Sequence, residues 1–255
     1  MQFAHIYGLV IINMRFHESP HPIAFGASYG LVWAYDHFGH PILLKGLENV
    51  NREGAGLVGA PHRDAMDGVA LGYALAKVDR VLYFMGKQEL WTPRYTKKVG
   101  PLEINAGKVA GFFGTFPVDR QRPQVSTFKR ADELIKDRLM VGLLPEGSRY
   151  EDEETKVVRG AEIGELHDSI GRLAVRNSTL DKPPVPILPA GIKIIRETSK
   201  KGRGGRIVGG VVVIGEKIIP DTSLPPYEVV DIVMKNLRGS LQELHYEADH
   251  LAQTK

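Results

Sequence analysis

The stretch Gly56-Leu57-Val58-Gly59-Ala60-Pro61-His62-Arg63-Asp64-Ala65-Met66-Asp67 passes from a short apolar run through a polar turn into an amphipathic segment at 66–77. A run of that length reads as a buried strand, and the segment after it as a helix that packs back on the strand. The same succession recurs down the chain. Strands are expected at 56–60, 81–85, 109–118, 139–144, 185–195 and 207–214, with helices at 66–77, 125–138, 160–176 and 227–251. The last helix is marked by Val230, Val233, Met234, Leu237, Leu241 and Leu244, which recur every three or four residues after Pro225-Pro226. This alternation predicts an α/β fold, a mixed, largely parallel sheet flanked by helices, over residues 43–255.

Composition agrees with a globular protein. Of 255 residues, 43% are hydrophobic and 25% charged, and a chain of that size buries roughly 70% of its unfolded surface, so no disulfide or metal staple is needed. Cysteine is absent, which excludes thiolate metal sites and cysteine nucleophiles and fits a reducing compartment. The 33 Lys and Arg against 30 Asp and Glu leave +3, spread unevenly. Lys193, Arg196, Lys200, Lys201, Arg203 and Arg206 form a basic stretch with Gly202, Gly204 and Gly205, which reads as an exposed loop. It is either a solvated hairpin tip or a surface for phosphate-bearing partners such as anionic lipid. Nucleic acid is not expected, because the stretch lacks interleaved aromatics.

Residues 1–42 hold two apolar segments joined by Arg15-Phe16-His17-Glu18. Each is shorter than the roughly 20 apolar residues that cross a bilayer. Together they read as an N-terminal helical hairpin that lies in a membrane interface or covers the core of its own domain. The first arginine follows the apolar stretch, the reverse of a secretory signal.

Three strand ends carry polar chemistry. His62 and Asp67, five apart, would be separated by about 140° on a continuous helix, so they can meet only if His62 sits in the turn and Asp67 in the first helical turn. The carboxylate would then fix the imidazole tautomer as a general base requires, although Asp64 or Asp67 could instead be capping the helix. Leu144-Pro145-Glu146-Gly147-Ser148-Arg149 follows a strand whose carboxyl end is a usual ligand position. Arg149 offers a planar fork for phosphate, with donors from Ser148 and the Gly147 amide, and a plain polar β-turn is the alternative. The run Gly114-Thr115-Phe116-Pro117-Val118-Asp119-Arg120 delivers a second arginine in the same way.

In this order the motifs resemble the glycerolipid acyltransferase family that includes 1-acylglycerol-3-phosphate acyltransferases. His62 and Asp67 match its His, four residues and Asp; Asp119-Arg120 its second motif; Leu144 to Arg149 its Phe-Pro-Glu-Gly-Thr-Arg; and Val185-Pro186-Ile187-Leu188-Pro189 its Val-Pro-rich strand. Gly46-Leu47-Glu48-Asn49, Lys87-Gln88-Glu89-Leu90 and Arg159-Gly160-Ala161 extend the match to roughly residues 43–218. Pro61 and Asp64 depart from the Asn and Ser common at those positions, and Leu144 and Ser148 are milder changes. The resemblance implies that His62 takes the proton from a lysophospholipid hydroxyl attacking an acyl thioester, with Asp67 orienting His62. It implies that Arg120, Glu146, Gly147, Ser148, Arg149 and Lys87 bind the acceptor, the arginines on its phosphate. The donor would be acyl-CoA or acyl carrier protein. No cofactor and no metal would be needed, and the enzyme would be cytoplasmic and peripheral at a membrane in phospholipid biosynthesis.

Other classes compete. The acceptor could be another lipid or glycolipid hydroxyl. Gly26-Ala27-Ser28-Tyr29-Gly30 has the form of a serine esterase elbow, but only Ile23-Ala24-Phe25 precedes it where a buried strand should stand. A metal hydrolase built on His62, Asp64 and Asp67 lacks a second ligand cluster. A non-catalytic lipid-surface protein is suggested only by the unusual residues around His62.

Overall fold

Leu57 and Val58, neighbours in one strand, join the hydrophobic cores on opposite faces of a sheet. That period-2 alternation is what a strand covered on both sides requires. The computed structural model describes residues 41–99, 102–112, 114–118, 125–152, 154, 157–178, 183–197 and 205–254. The expected N-terminal hairpin, save residues 41 and 42, lies outside the described residues, as do Ser28 and its glycines, Asp119 and Arg120.

Among the described residues the main sheet has seven strands in the order β1-β11-β10-β2-β7-β3-β6. They are β1 (Ile42–Lys45), β2 (Gly56–Gly59), β3 (Leu82–Lys87), β6 (Thr115–Val118), β7 (Met140–Leu143), β10 (Ile187–Arg196) and β11 (Ile207–Ile214). Only the β10–β11 pairing is antiparallel, so the expected mixed, largely parallel sheet is present. Two small hairpins stand apart: β4 (Thr96–Val99) with β5 (Leu102–Asn105), and β8 (Tyr150–Asp152) with β9 (Val157–Val158).

The helices are α1 (Asp67–Ala76), α2 (Ala106–Phe112), α3 (Val125–Lys136), α4 (Ser169–Asn177) and α5 (Pro226–Gln253). Ala70, Leu71, Ala74 and Leu75 of α1 close one face of the sheet against Val58, Phe84, Leu188 and Ile192. The other face is closed by α3, α4 and α5, whose Leu134, Ile170, Leu173, Val233, Leu237 and Leu241 pack on Leu57, Val141 and Ile187. Each fully buried Leu or Ile contributes about 1.5–3 kcal/mol, so the two cores dominate stability.

Two expectations are corrected. Residues 109–118 do not form one strand: α2 occupies 106–112 and β6 begins only at Thr115. Asn105 starts that helix, its Oδ1 accepting the Lys108 N–H at 3.0 Å, a cap that the apolar run Val109-Ala110 conceals. Nor is 160–176 helical throughout, since α4 begins at Ser169. The carbonyls that a helix would use are taken by side chains: Gly160 and Glu162 by Arg63, Ala161 by Gln242, and Ile163 and Gly164 by Arg238. Strand β1 was not anticipated.

Candidate active site

Strands β10, β2, β7, β3 and β6 run parallel, which places the segments after each at one edge of the sheet. His62 follows β2, Lys87 ends β3, Glu146 to Arg149 follow β7, and Arg196 ends β10. Ligands gather at such an edge because loops there meet no further layer of structure.

His62 lies in the turn between β2 and α1, and Asp67 is the first residue of α1. The helix begins there without a side-chain cap at Met66, and the Asp67 carboxylate turns back toward the preceding loop. Its Oδ2 accepts the N–H groups of Arg63 and Asp64, both at 2.8 Å, and lies 3.0 Å from His62 Nδ1. Asp67 is 1% exposed whereas the His62 side chain is 22% exposed, so the carboxylate is enclosed and the ring reaches solvent. With Nδ1–H donated to Asp67, Nε2 is left as the basic nitrogen. The structure thus brings together the His and Asp that the sequence singled out, and it gives Asp67 a local structural role as well.

Glu146 braces the same turn from the other side. Its side chain is fully buried; Oε2 accepts the His62 N–H at 2.9 Å and an Arg63 Nη1 hydrogen bond, and Oε1 accepts the Gly164 N–H at 2.8 Å. Pro145-Glu146-Gly147 turns tightly, with Gly147 donating to Leu144 O at 2.9 Å. Gly147 has φ +70°, a left-handed conformation that requires glycine, and a Cβ there would meet only the movable ring of exposed His167, 2.9 Å from its Nε2. Ser148 directs its Oγ to the Tyr150 N–H at 3.2 Å. Arg149 donates to the Tyr150 hydroxyl and stands 4.8 Å from that ring's centre, which holds the guanidinium in one orientation. The Lys87 ammonium lies 5.2 Å from the centre of the Tyr95 ring.

Sequence reasoning missed the parts played by Arg63 and Arg196. Arg63 reaches Glu146 and three backbone carbonyls, which pins the 160–164 segment against the His62 turn. Arg196 makes a two-pronged pair with Asp64, Nε to Oδ2 and Nη2 to Oδ1, each at 2.7 Å. The position of Arg63 beside His62 was the only available signal for the first. Of the basic stretch, Lys200, Lys201, Gly202, Arg203 and Gly204 lie outside the described residues; Lys193, whose side chain is 42% exposed, pairs with Asp249 at 2.6 Å. Asp64 is raised by burial but lowered more by the Arg196 hydrogen bonds, the Met66 N–H and the charges of Arg196 and Arg149, so it titrates below the ordinary carboxyl value. Asp64 therefore serves a turn and an ion pair rather than the cap of α1.

Among the described residues no group of three or more His, Asp or Glu could hold a metal, and no helix is long and apolar enough to cross a membrane. An imidazole held by a buried carboxylate and facing solvent beside arginines can take a proton from a hydroxyl near an anionic group.

The chain is 25% identical over 209 residues to a 1-acyl-sn-glycerol-3-phosphate acyltransferase of Bacillus subtilis, covering 80% of this chain and 88% of that protein. The crystal structure of the 1-acyl-sn-glycerophosphate acyltransferase of Thermotoga maritima shares the fold at a TM-score of 0.55 and 18% identity, over 95% of this chain and 88% of that one. The Acyltransferase family model matches residues 41–193, a span that holds both cores' central strands and every candidate site residue from His62 to Arg149, and the chain belongs to that family.

Proposed function

We propose that this acyltransferase moves a fatty acyl group from a thioester donor, acyl-CoA or acyl carrier protein, to the free hydroxyl of 1-acylglycerol-3-phosphate. The observation that carries the reading is the His62 Nδ1–Asp67 Oδ2 contact of 3.0 Å on a turn whose ring remains open to solvent. His62 Nε2 takes the hydroxyl proton as the oxygen attacks the thioester carbonyl. The tetrahedral intermediate then expels the thiolate as the C–S bond breaks, and the imidazolium returns the proton to sulfur. Asp67 stabilises that imidazolium, and a positioned base of this kind supplies roughly 10²–10⁴-fold.

Arg149, with Lys87 and Arg120, would meet the acceptor's phosphate, and the Gly147 and Ser148 backbone would shape that end of the site. Glu146, whose oxygens serve His62, Arg63 and Gly164, acts by bracing the base. The relative of 25% identity that bears the same activity in its name supports this choice of acceptor. Such an acceptor is anchored in a bilayer, so the enzyme would work peripherally at a cytoplasmic membrane surface in phospholipid synthesis.

The test is acyl transfer by purified protein to lysophosphatidic acid. His62→Ala should abolish it with the fold intact, and transfer that survives removes His62 as the base. Ser28→Ala should leave it unchanged, whereas loss there would favour an esterase.

A further inference from the structure

Asp64 stands two residues after His62, at the carboxyl edge of the sheet, and both of its oxygens are held by Arg196 at 2.7 Å. The pair is neither enclosed nor fully solvated: the Asp64 side chain is 18% exposed and that of Arg196 31%. Arg149 is close enough for its charge to act on Asp64. One carboxylate thus sits among two guanidiniums beside the base, and it occupies the flat face with which Arg196 would otherwise fork onto a phosphate.

We propose that Asp64 and Arg196 form a charge-setting pair of the acceptor site, in which Asp64 engages Arg196 and offsets part of the positive field that the acceptor's phosphate meets at Arg149. This rests on the reading of the site as an acceptor site for a phosphate monoester. The pair sets how tightly an anionic headgroup is gripped: without the carboxylate's charge the site gains a unit of positive charge, and without Arg196 it retains an uncompensated negative charge. A pair that only ties the His62 turn to β10 would behave differently, since breaking it from either side would loosen the same turn.

The experiment compares wild type, Asp64→Asn and Arg196→Gln. The asparagine keeps an acceptor for the Met66 N–H, so the turn is preserved. Initial rates with lysophosphatidic acid and acyl-CoA give kcat and both KM values, and a calorimetric titration with glycerol 3-phosphate gives acceptor-headgroup affinity without turnover. Expected is a fall of about three- to tenfold in acceptor KM and in glycerol 3-phosphate Kd for Asp64→Asn, and a rise of similar size for Arg196→Gln. If both variants raise acceptor KM and lower kcat together, the pair is a structural tie and the proposal is overturned. If only the KM for acyl-CoA moves, the phosphate sensed belongs to the donor and the assignment to the acceptor is overturned. If wild type transfers no acyl group, the reading of the enzyme fails, and the titration alone decides: opposite shifts in Kd uphold the pair and equal or absent shifts remove it.

Discussion

The carboxylate of Glu146 accepts the backbone N–H of His62 at 2.9 Å, while Arg63 closes on the same oxygen. His62 is therefore fixed through its peptide by one buried carboxylate and through its ring by another. Glu146→Ala would leave the Arg63 guanidinium, 11% exposed, without its counter-charge, and should cost about 3–5 kcal/mol in urea unfolding. Glu146→Gln retains one acceptor for His62 but loses the charge. It should fold at a smaller cost and still lose at least about tenfold in kcat if bracing sets the base's position. A glutamine variant with full kcat would show that the charge of Glu146 does not matter to catalysis.

His62→Ala removes a partly exposed ring and should alter unfolding free energy by less than about 1 kcal/mol while lowering kcat by about 10²–10⁴-fold. Asp67→Asn must keep its carbonyl oxygen toward the Arg63 and Asp64 N–H groups, so the ring still finds an acceptor but the imidazolium loses its counter-ion. The expected result is a loss on the order of 10²-fold in kcat with little change in acceptor KM. A change in KM alone would mean that Asp67 shapes the acceptor site rather than the base.

Arg149 is held on the Tyr150 hydroxyl and ring, so its guanidinium is oriented before any acceptor arrives. Arg149→Lys keeps the charge but loses the fork, and Arg149→Ala loses both. Acceptor KM should rise in that order, by about tenfold or more for alanine, with kcat altered less. Equal values for all three would remove Arg149 from the acceptor site.

How far the sequence carried this site depends on what each residue's signal is made of. Strands 56–59, 140–143 and 207–214 were legible because apolar runs bounded by turns have few other readings, and the His62–Asp67 spacing was legible because helix geometry forbids their contact on a continuous helix. Residues 160–168 misled because their helical pattern was overridden by Arg63, Arg238 and Gln242, whose long side chains take the backbone carbonyls from distant parts of the chain. Local periodicity carries no trace of such partners. The same holds for Arg196 and Asp64, 132 residues apart, which only the parallel placement of β10 beside β2 brings together.

Helix α5 lies close to β10 because Gly191 has no side chain. A Cβ there would fall 2.0 Å from the Leu244 carbonyl oxygen, a backbone atom that cannot rotate away. Gly191→Ala should therefore push the helix off the strand and cost about 3 kcal/mol or more, near the upper end for overpacking. Unfolding in urea checks this, and a loss below about 1 kcal/mol would show that the helix can shift along the sheet without penalty.

His245, on the face of α5 toward that strand, is 2% exposed, and its Nδ1 has no hydrogen-bond partner among the described residues. Burial lowers its proton affinity most, the charges of Arg63 and Lys193 lower it further, and Asp249 and Glu146 partly oppose them. The result lies below the ordinary value of 6.5, so the folded chain binds fewer protons here than the unfolded chain does. Stability contributed by the neutral ring is therefore present above that pH and is lost as pH falls from about 6.5 toward the folded value. Wild type should lose unfolding free energy on acidification from about pH 7.5 to 5.5, and His245→Gln, which cannot titrate, should show a flatter slope over that interval. Urea titrations at matched ionic strength measure both, and parallel slopes would assign the acid sensitivity to groups other than His245.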